Sequence, residues 1–208
     1  EAHHEQLAQL ECADTGKPLT QARGDIGACA RYFRFYGGAA DKLHGETIPF
    51  ETDFAVMTLR EPYGVCAQII PWNYPSQIFG RCVAAALAAG NTVVLKPAED
   101  ACLSVLRLAQ LAVDHGLPAG ALNVVPGLGA EAGAALAAHP NIDHLSFTGS
   151  PETGTHVAQA AAQHHVPVTL ELGGKSPQLV FADADLDAAL PAVVRGIIQN
   201  AGQTCSAG

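Results

Sequence analysis

Beyond Pro75 the chain alternates regularly, with no internal sequence repeat: a stretch of helical spacing, a turn signal, then a short apolar segment rich in β-branched residues. A small-residue helix is predicted around residues 78–89, stopped by Gly90-Asn91 ahead of a strand at 92–95. Helices at 101–115, 130–138 and 152–163 precede strands at 122–125, 142–147 and 168–172. Short apolar strands alternating with helices of about 10–15 residues build βαβ units. The fold class is therefore α/β, a parallel sheet with helices on both faces. Such sheets bind ligands outside the carboxyl ends of their strands. Lys96, Pro126-Gly127, Thr148-Gly149 and Gly173-Gly174 all stand at predicted strand ends, so the fold and the unusual residues point to one edge.

The earlier part is less regular. Leu7, Leu10 and Ala13 share a helix face, and Ile26, Ala30, Phe33 and Ala40 carry helical spacing across 21–43, weakened by Gly37-Gly38. Strands are expected at 54–59 and 63–70, separated by Glu61-Pro62.

Composition excludes several classes. A chain that is 49% hydrophobic and 15% charged has ample apolar surface for a core and is not disordered. Its net charge of −9 repels nucleic-acid phosphates and anionic membranes. The longest apolar run, residues 82–89, falls far short of the ~18 residues of a membrane span. No basic and apolar leader opens the chain, so a cytoplasmic location is expected. The cysteines lack a CxxC pair. Cys12, Cys29, Cys66, Cys82 and Cys102 read as small buried hydrophobes of a reducing compartment. The nine histidines show no ligand spacing, so no metal is expected; His3-His4 and His164-His165 read as surface pairs.

Cys205 differs from the other thiols in its polar, glycine-bracketed setting, Gly202-Gln203-Thr204-Cys205-Ser206. It is either an ordinary loop cysteine or an accessible nucleophile. Glu171 lies in Val168-Thr169-Leu170-Glu171-Leu172, where alternation and neighbours predict burial. A buried carboxylate serves as a base or is paired, and the alternative is a strand-end side chain reaching solvent. Lys96 is a solvated strand-end lysine or a cofactor ligand. The segment Gly149-Ser150-Pro151-Glu152-Thr153-Gly154 could offer backbone N–H groups to a pyrophosphate, although it is not GxGxxG. Pro71-Trp72-Asn73-Tyr74-Pro75 is a rigid aromatic loop holding one amide.

Five segments then occur in a telling order: Pro71–Pro75, Lys96-Pro97-Ala98-Glu99, Phe147-Thr148-Gly149-Ser150, Leu170-Glu171-Leu172-Gly173-Gly174-Lys175 and Gly202–Cys205. In them the chain resembles the aldehyde dehydrogenase superfamily along almost its whole length. Asp14-Thr15-Gly16-Lys17-Pro18 and His44-Gly45-Glu46-Thr47-Ile48-Pro49 add to the likeness. The resemblance implies oxidation of an aldehyde to an acid with NAD, or NADP, through a thioester. It makes Cys205 the nucleophile and Glu171 the base that activates water. The amide of Asn73 and the backbone N–H of Cys205 become the oxyanion hole. It also implies cofactor contacts from Ile70, Trp72, Lys96, Glu99, Gly129, Phe147, Thr148, Gly149, Ser150, Gly154, Leu172 and Gly173. Lys96 and Glu99 fall on the adenosine ribose, and Glu99 favours NAD by repelling a 2′-phosphate.

On the same resemblance, residues 1–172 form a Rossmann-like cofactor domain with flanking helices and strands, and 173–208 begin a second, catalytic α/β domain. The chain opens Glu1-Ala2-His3-His4 and stops three residues after Cys205, so the expectation is a piece of an enzyme, inactive alone. The complete protein is expected to be a homo-oligomer, dimer or tetramer, acting on a small aldehyde. Relatives that pass the acyl group to coenzyme A generally lack the glutamate matched by Glu171. A cysteine hydrolase would want a histidine partner for Cys205. A non-catalytic form of the scaffold is the third alternative, and the retention of Cys205 and Glu171 weighs against it.

Overall fold

The computed structural model describes residues 2–207. Helices α1 (His4–Thr15) and α2 (Leu19–Ala39) pair through Leu7, Ala8, Ala22 and Ile26. Gly37-Gly38 does not end α2, which continues through both to Ala39. Strands β1 (Thr47–Ile48) and β2 (Val56–Met57) form a small antiparallel pair, so the strand expected at 54–59 shrinks to two residues and gains an unanticipated partner.

The remaining elements bear out the α/β expectation. They are β3 (Val65–Ile70), α3 (Pro75–Ala88), β4 (Thr92–Pro97), α4 (Leu103–Asp114), β5 (Leu122–Val124), α5 (Ala134–Ala137), β6 (His144–Gly149), α6 (Pro151–Ala162) and β7 (Val168–Leu172). The five long strands form one sheet in the order β5-β4-β3-β6-β7, all parallel. One face packs Ile70, Val93 and Leu95 against α2, α3 and α4. The other packs Ala67, Leu145 and Phe147 against α5 and α6. Burial of both faces explains the near-continuous apolar strands.

Two departures have local causes. The helix expected at 130–138 starts as a wider turn, Gly129–Gly133, before α5. Strand β6 begins two residues later than expected, because the Asp143 carboxylate accepts the Val65 N–H at 2.7 Å. Helix α3 lies so close to α2 that a Cβ on Gly80 would sit 2.8 Å from the Cys29 Cα. Only a glycine allows that crossing.

After Leu172 the packing thins. Helix α7 (Leu186–Ile198), which the sequence reading passed over, is capped by Asp185, whose Oδ1 accepts from the Asp187 N–H at 3.0 Å. None of its residues is buried, and Leu186, Leu190, Val194, Ile197 and Ile198 are exposed.

Candidate active site

Parallel register gathers the strand ends. Ile70 pairs with Pro97, Ile69 with Phe147, Thr148 with Glu171 and Gly149 with Leu172. From β3 the chain runs to β4 and β5 on one side, then returns to β6 and β7 on the other. A crevice opens where the order reverses, between β3 and β6.

Two cavities occupy that edge. The first, about 800 Å³, is lined by Ile70, Trp72, Lys96, Glu99, Gly129, Phe147, Thr148, Gly149 and Ser150. The second, about 740 Å³, is lined by Trp72, Asn73, Glu171, Leu172, Gly173 and Cys205. Pro71, Trp72, Thr148, Gly149 and Ser150 line both, so the indole stands between two halves of one cleft. Every residue nominated from the sequence lines this cleft except Gly154. Gly154 is buried beneath it, where a Cβ would come within 2.6 Å of Leu172 Cδ2. Its contribution here is the close approach of α6 to the sheet.

In the first cavity Lys96, 2% exposed, donates from Nζ to Glu99 Oε2 at 2.5 Å. Glu99 Oε1 accepts the Gly129 N–H at 3.0 Å. The Lys96 bond first, and the Gly129 bond second, hold the Glu99 carboxyl at about 2, well below the usual 4.5. An ammonium carries three donors, and Glu99 takes one of them, leaving two for a ligand. Across the cavity α6 begins behind Ser150, whose Oγ accepts the Thr153 N–H at 3.2 Å. The first turn of a helix attracts anions. Between these polar ends lies an apolar floor of Ile69, Ala134, Ala137, Val157 and Ala160. The set suits an elongated ligand with hydroxyls at one end and anionic groups further along.

The second cavity holds the thiol. Cys205 is exposed, while Cys29 and Cys66 are buried and Cys12, Cys82 and Cys102 are half-buried. Burial pushes Cys29 up to about 12 and raises Cys66 and Cys82 as well. The expected contrast between Cys205 and the rest is thus present, though three of the five are only partly covered. The burial expected for Glu171 is not: its side chain is exposed. Strand β7 is the sheet edge, with no strand beyond it among the described residues.

The Asn73 amide is engaged. Its Nδ2 donates to the Gln203 carbonyl at 2.9 Å, which leaves its second N–H for the cavity. The loop below the thiol bends through three successive left-handed residues, Asn200 (φ 51°), Ala201 (φ 57°) and Gly202 (φ 77°). Non-glycine residues pay roughly 1–2 kcal/mol each for that conformation, asparagine least. The sequence reading missed Asn200 and Gln203; an Asn-x-Gly turn ahead of the cysteine was the available signal. It also missed Thr153 and His156 in the first cavity, and the buried ion cluster of Lys17 with Glu11 and Asp25.

The aldehyde dehydrogenase family profile matches residues 1–208. A hydroxyisobutyraldehyde dehydrogenase of Mycolicibacterium austroafricanum is 51% identical over 204 residues, covering 98% of this chain and 40% of that protein. A crystal structure from Burkholderia cenocepacia, described as an aldehyde dehydrogenase, superposes with a TM-score of 0.97 at 70% identity, over 100% of this chain and 44% of that one. An NAD+ complex of an aldehyde dehydrogenase from Bacillus cereus gives 0.97 at 48%, over 100% of this chain and 42% of the other. The chain thus spans about two fifths of the length of the relatives it matches.

Proposed function

Because the chain belongs to the aldehyde dehydrogenase family, we propose that it carries the cofactor cleft and the nucleophile of an enzyme that oxidises a small aldehyde to its acid. The observation that carries this reading is the meeting of Cys205, Asn73 and Glu171 in one cavity that shares a wall with the Lys96–Glu99 cleft.

Lys96 and Glu99 would hold the adenosine ribose, the first turn of α6 the pyrophosphate, and Trp72, Leu172 and Gly173 the nicotinamide end. The NAD+ complex of the Bacillus cereus relative supports NAD, with NADP as the alternative. When bound, the dinucleotide supplies the hydride acceptor. The Cys205 thiolate adds to the aldehyde carbon, and the developing oxyanion is met by the free N–H of Asn73 and the backbone N–H of Cys205. One such donor lowers the barrier by about 2.7–4 kcal/mol. Loss of hydride leaves a thioester on Cys205. Glu171 then takes a proton from water as the water oxygen attacks the thioester carbon and the carbon–sulfur bond breaks, releasing the acid and restoring the Cys205 thiolate. Exposure of Glu171 to the cavity suits that water-facing role.

Residues 173–208 are, on this reading, the start of the catalytic domain, which fits the uncovered apolar side of α7. The exposed Phe50, Phe54 and Met57 around β1 and β2 support assembly of the complete protein as a homo-oligomer. Six free thiols suit a reducing compartment such as the cytoplasm. No described helix is long and apolar enough to cross a membrane.

The test uses a protein of full family length containing these residues. Glu171→Gln should release a burst of NADH and then stall as a thioester, whereas Cys205→Ser should give none and still bind NAD. Steady turnover by Cys205→Ser would end the proposal. Slow NADH release without a burst in Glu171→Gln would mean that Glu171 activates the thiol instead.

A further inference from the structure

Between the amide loop and the thiol loop lies a side chain that touches neither cavity. Asn200 is 1% exposed, and its Nδ2 donates to two carbonyls: Asn73 O at 3.0 Å and Gln203 O at 2.9 Å. Asn73 Nδ2 returns a bond to the same Gln203 carbonyl at 2.9 Å. Three bonds thus close a ring between segments that lie more than a hundred residues apart. The orientation of the Asn200 amide is not free, since a flipped amide would set its oxygen against both carbonyls. Its Oδ1 is instead left buried with no partner, as is Gln203 Oε1.

We propose that Asn200 is a positioning residue: through its two donated bonds it fixes the distance and angle between the Asn73 amide and the Cys205 thiol. The inference rests on the reading of those two groups as oxyanion donor and nucleophile. Asn200 holds Asn73 by its carbonyl and Gln203 by its carbonyl, two residues before the thiol. The N–H that Asn73 keeps for the cavity therefore has its direction set from behind. The left-handed turn at residues 200–202 brings the Gln203 carbonyl inward to meet both amides, with the Gln203 N–H bonded to the Asn200 carbonyl at 3.1 Å. A misplacement of about 1 Å between reacting groups costs on the order of 10²-fold in rate.

Two variants separate this role from a merely structural one, again in a protein of full family length. Asn200→Gly keeps and even eases the left-handed backbone while deleting both side-chain bonds. Asn200→Asp keeps the shape but turns a carboxylate on two carbonyls. Asn200→Gly should retain the thermal midpoint within a few degrees and bind NAD within about twofold, while kcat for hydride formation falls roughly 100-fold with KM for the aldehyde little changed. Asn200→Asp, which buries a carboxylate against two carbonyls, should lose at least as much rate and lower the thermal midpoint as well. The ratio of Asn200→Asp to unsubstituted rate should also rise as pH falls, because a protonated carboxyl regains one donor. An Asn200→Gly rate within threefold of the unsubstituted protein would overturn the proposal. So would an Asn200→Gly rate loss that merely follows a collapse in thermal midpoint and NAD affinity together. If the unsubstituted protein oxidises no aldehyde, or Cys205→Ser stays active, the underlying reading fails and takes the inference with it.

Discussion

Glu99 carries the most distinct electrostatic signature at the site. Its carboxylate is paired with Lys96 and bonded by the Gly129 N–H, so the charged form is favoured and the pKa is lowered to about 2. For a lowered carboxylate, the favourable contribution is complete above the ordinary value near 4.5 and lost only as pH falls toward 2. NAD affinity should therefore show no titration of Glu99 between about pH 5 and 8. Glu99→Gln keeps the shape and removes the charge. It should weaken NAD binding by roughly tenfold, in line with about 1.5 kcal/mol for a charge-assisted bond, and raise the affinity for NADP relative to NAD. Calorimetric titration of both cofactors checks this. An NAD preference unchanged in Glu99→Gln would show that the carboxylate does not set it. The residue types at the cleft were legible in the sequence, because Lys96, Glu99, Asn73 and Cys205 are all out of place in a plain apolar pattern. Asn200 was not legible, since its importance lies in which carbonyls it reaches, and that depends on two loops meeting.

The elements read differently. The strands and helices after Pro75 could be anticipated because burial on both sheet faces forces long apolar runs and small-residue helices. The β1–β2 pair could not, because its strands are two residues each and exposed, leaving no pattern to read. The burial expected for Glu171 failed for a related reason: alternation tells which face a side chain takes, not whether anything covers that face. Nor does sequence spacing reveal that α1, α2 and the Trp72-Asn73-Tyr74 loop are fastened by one buried cluster. Lys17 Nζ donates to Glu11 at 2.8 Å and Asp25 at 2.7 Å, and lies 4.8 Å from the centre of the Tyr74 ring. Glu11 Oε2 accepts the Ser76 N–H at 3.2 Å, at the start of α3. Burial raises the Asp25 pKa against the pull of Lys17, so the cluster depends on its cation. Lys17→Met leaves two carboxylates buried without a counter-charge and should cost about 3–5 kcal/mol in urea unfolding. A loss below about 1 kcal/mol, typical of exposed pairs, would show that the cluster is not holding these elements together.

At the scale of the whole molecule, the cleft has one side well built and another open. The Lys96–Glu99 half is enclosed by the sheet edge, α5 and α6, all packed on buried cores. The thiol half is bounded by loops 71–75 and 199–206 and by the exposed end of β7. Beyond β7, Leu179, Phe181, Leu186, Leu190, Val194 and Ile198 are exposed. Exposed apolar side chains grouped along one helix mark an interaction face. Oriented attack on an aldehyde needs walls that exclude water and hold the carbonyl within bonding reach. The prediction is that the 208-residue chain by itself binds NAD weakly and yields no aldehyde-dependent NADH. It should also bind a hydrophobic dye that a protein of full family length does not. The relatives supply the comparison, since the chain spans only about two fifths of their length. Purified 208-residue protein of confirmed mass, assayed beside such a relative, decides between the alternatives. NADH production within tenfold of the relative would mean that the strand ends and the two loops suffice to position the aldehyde, and that the exposed apolar side of α7 has some other partner.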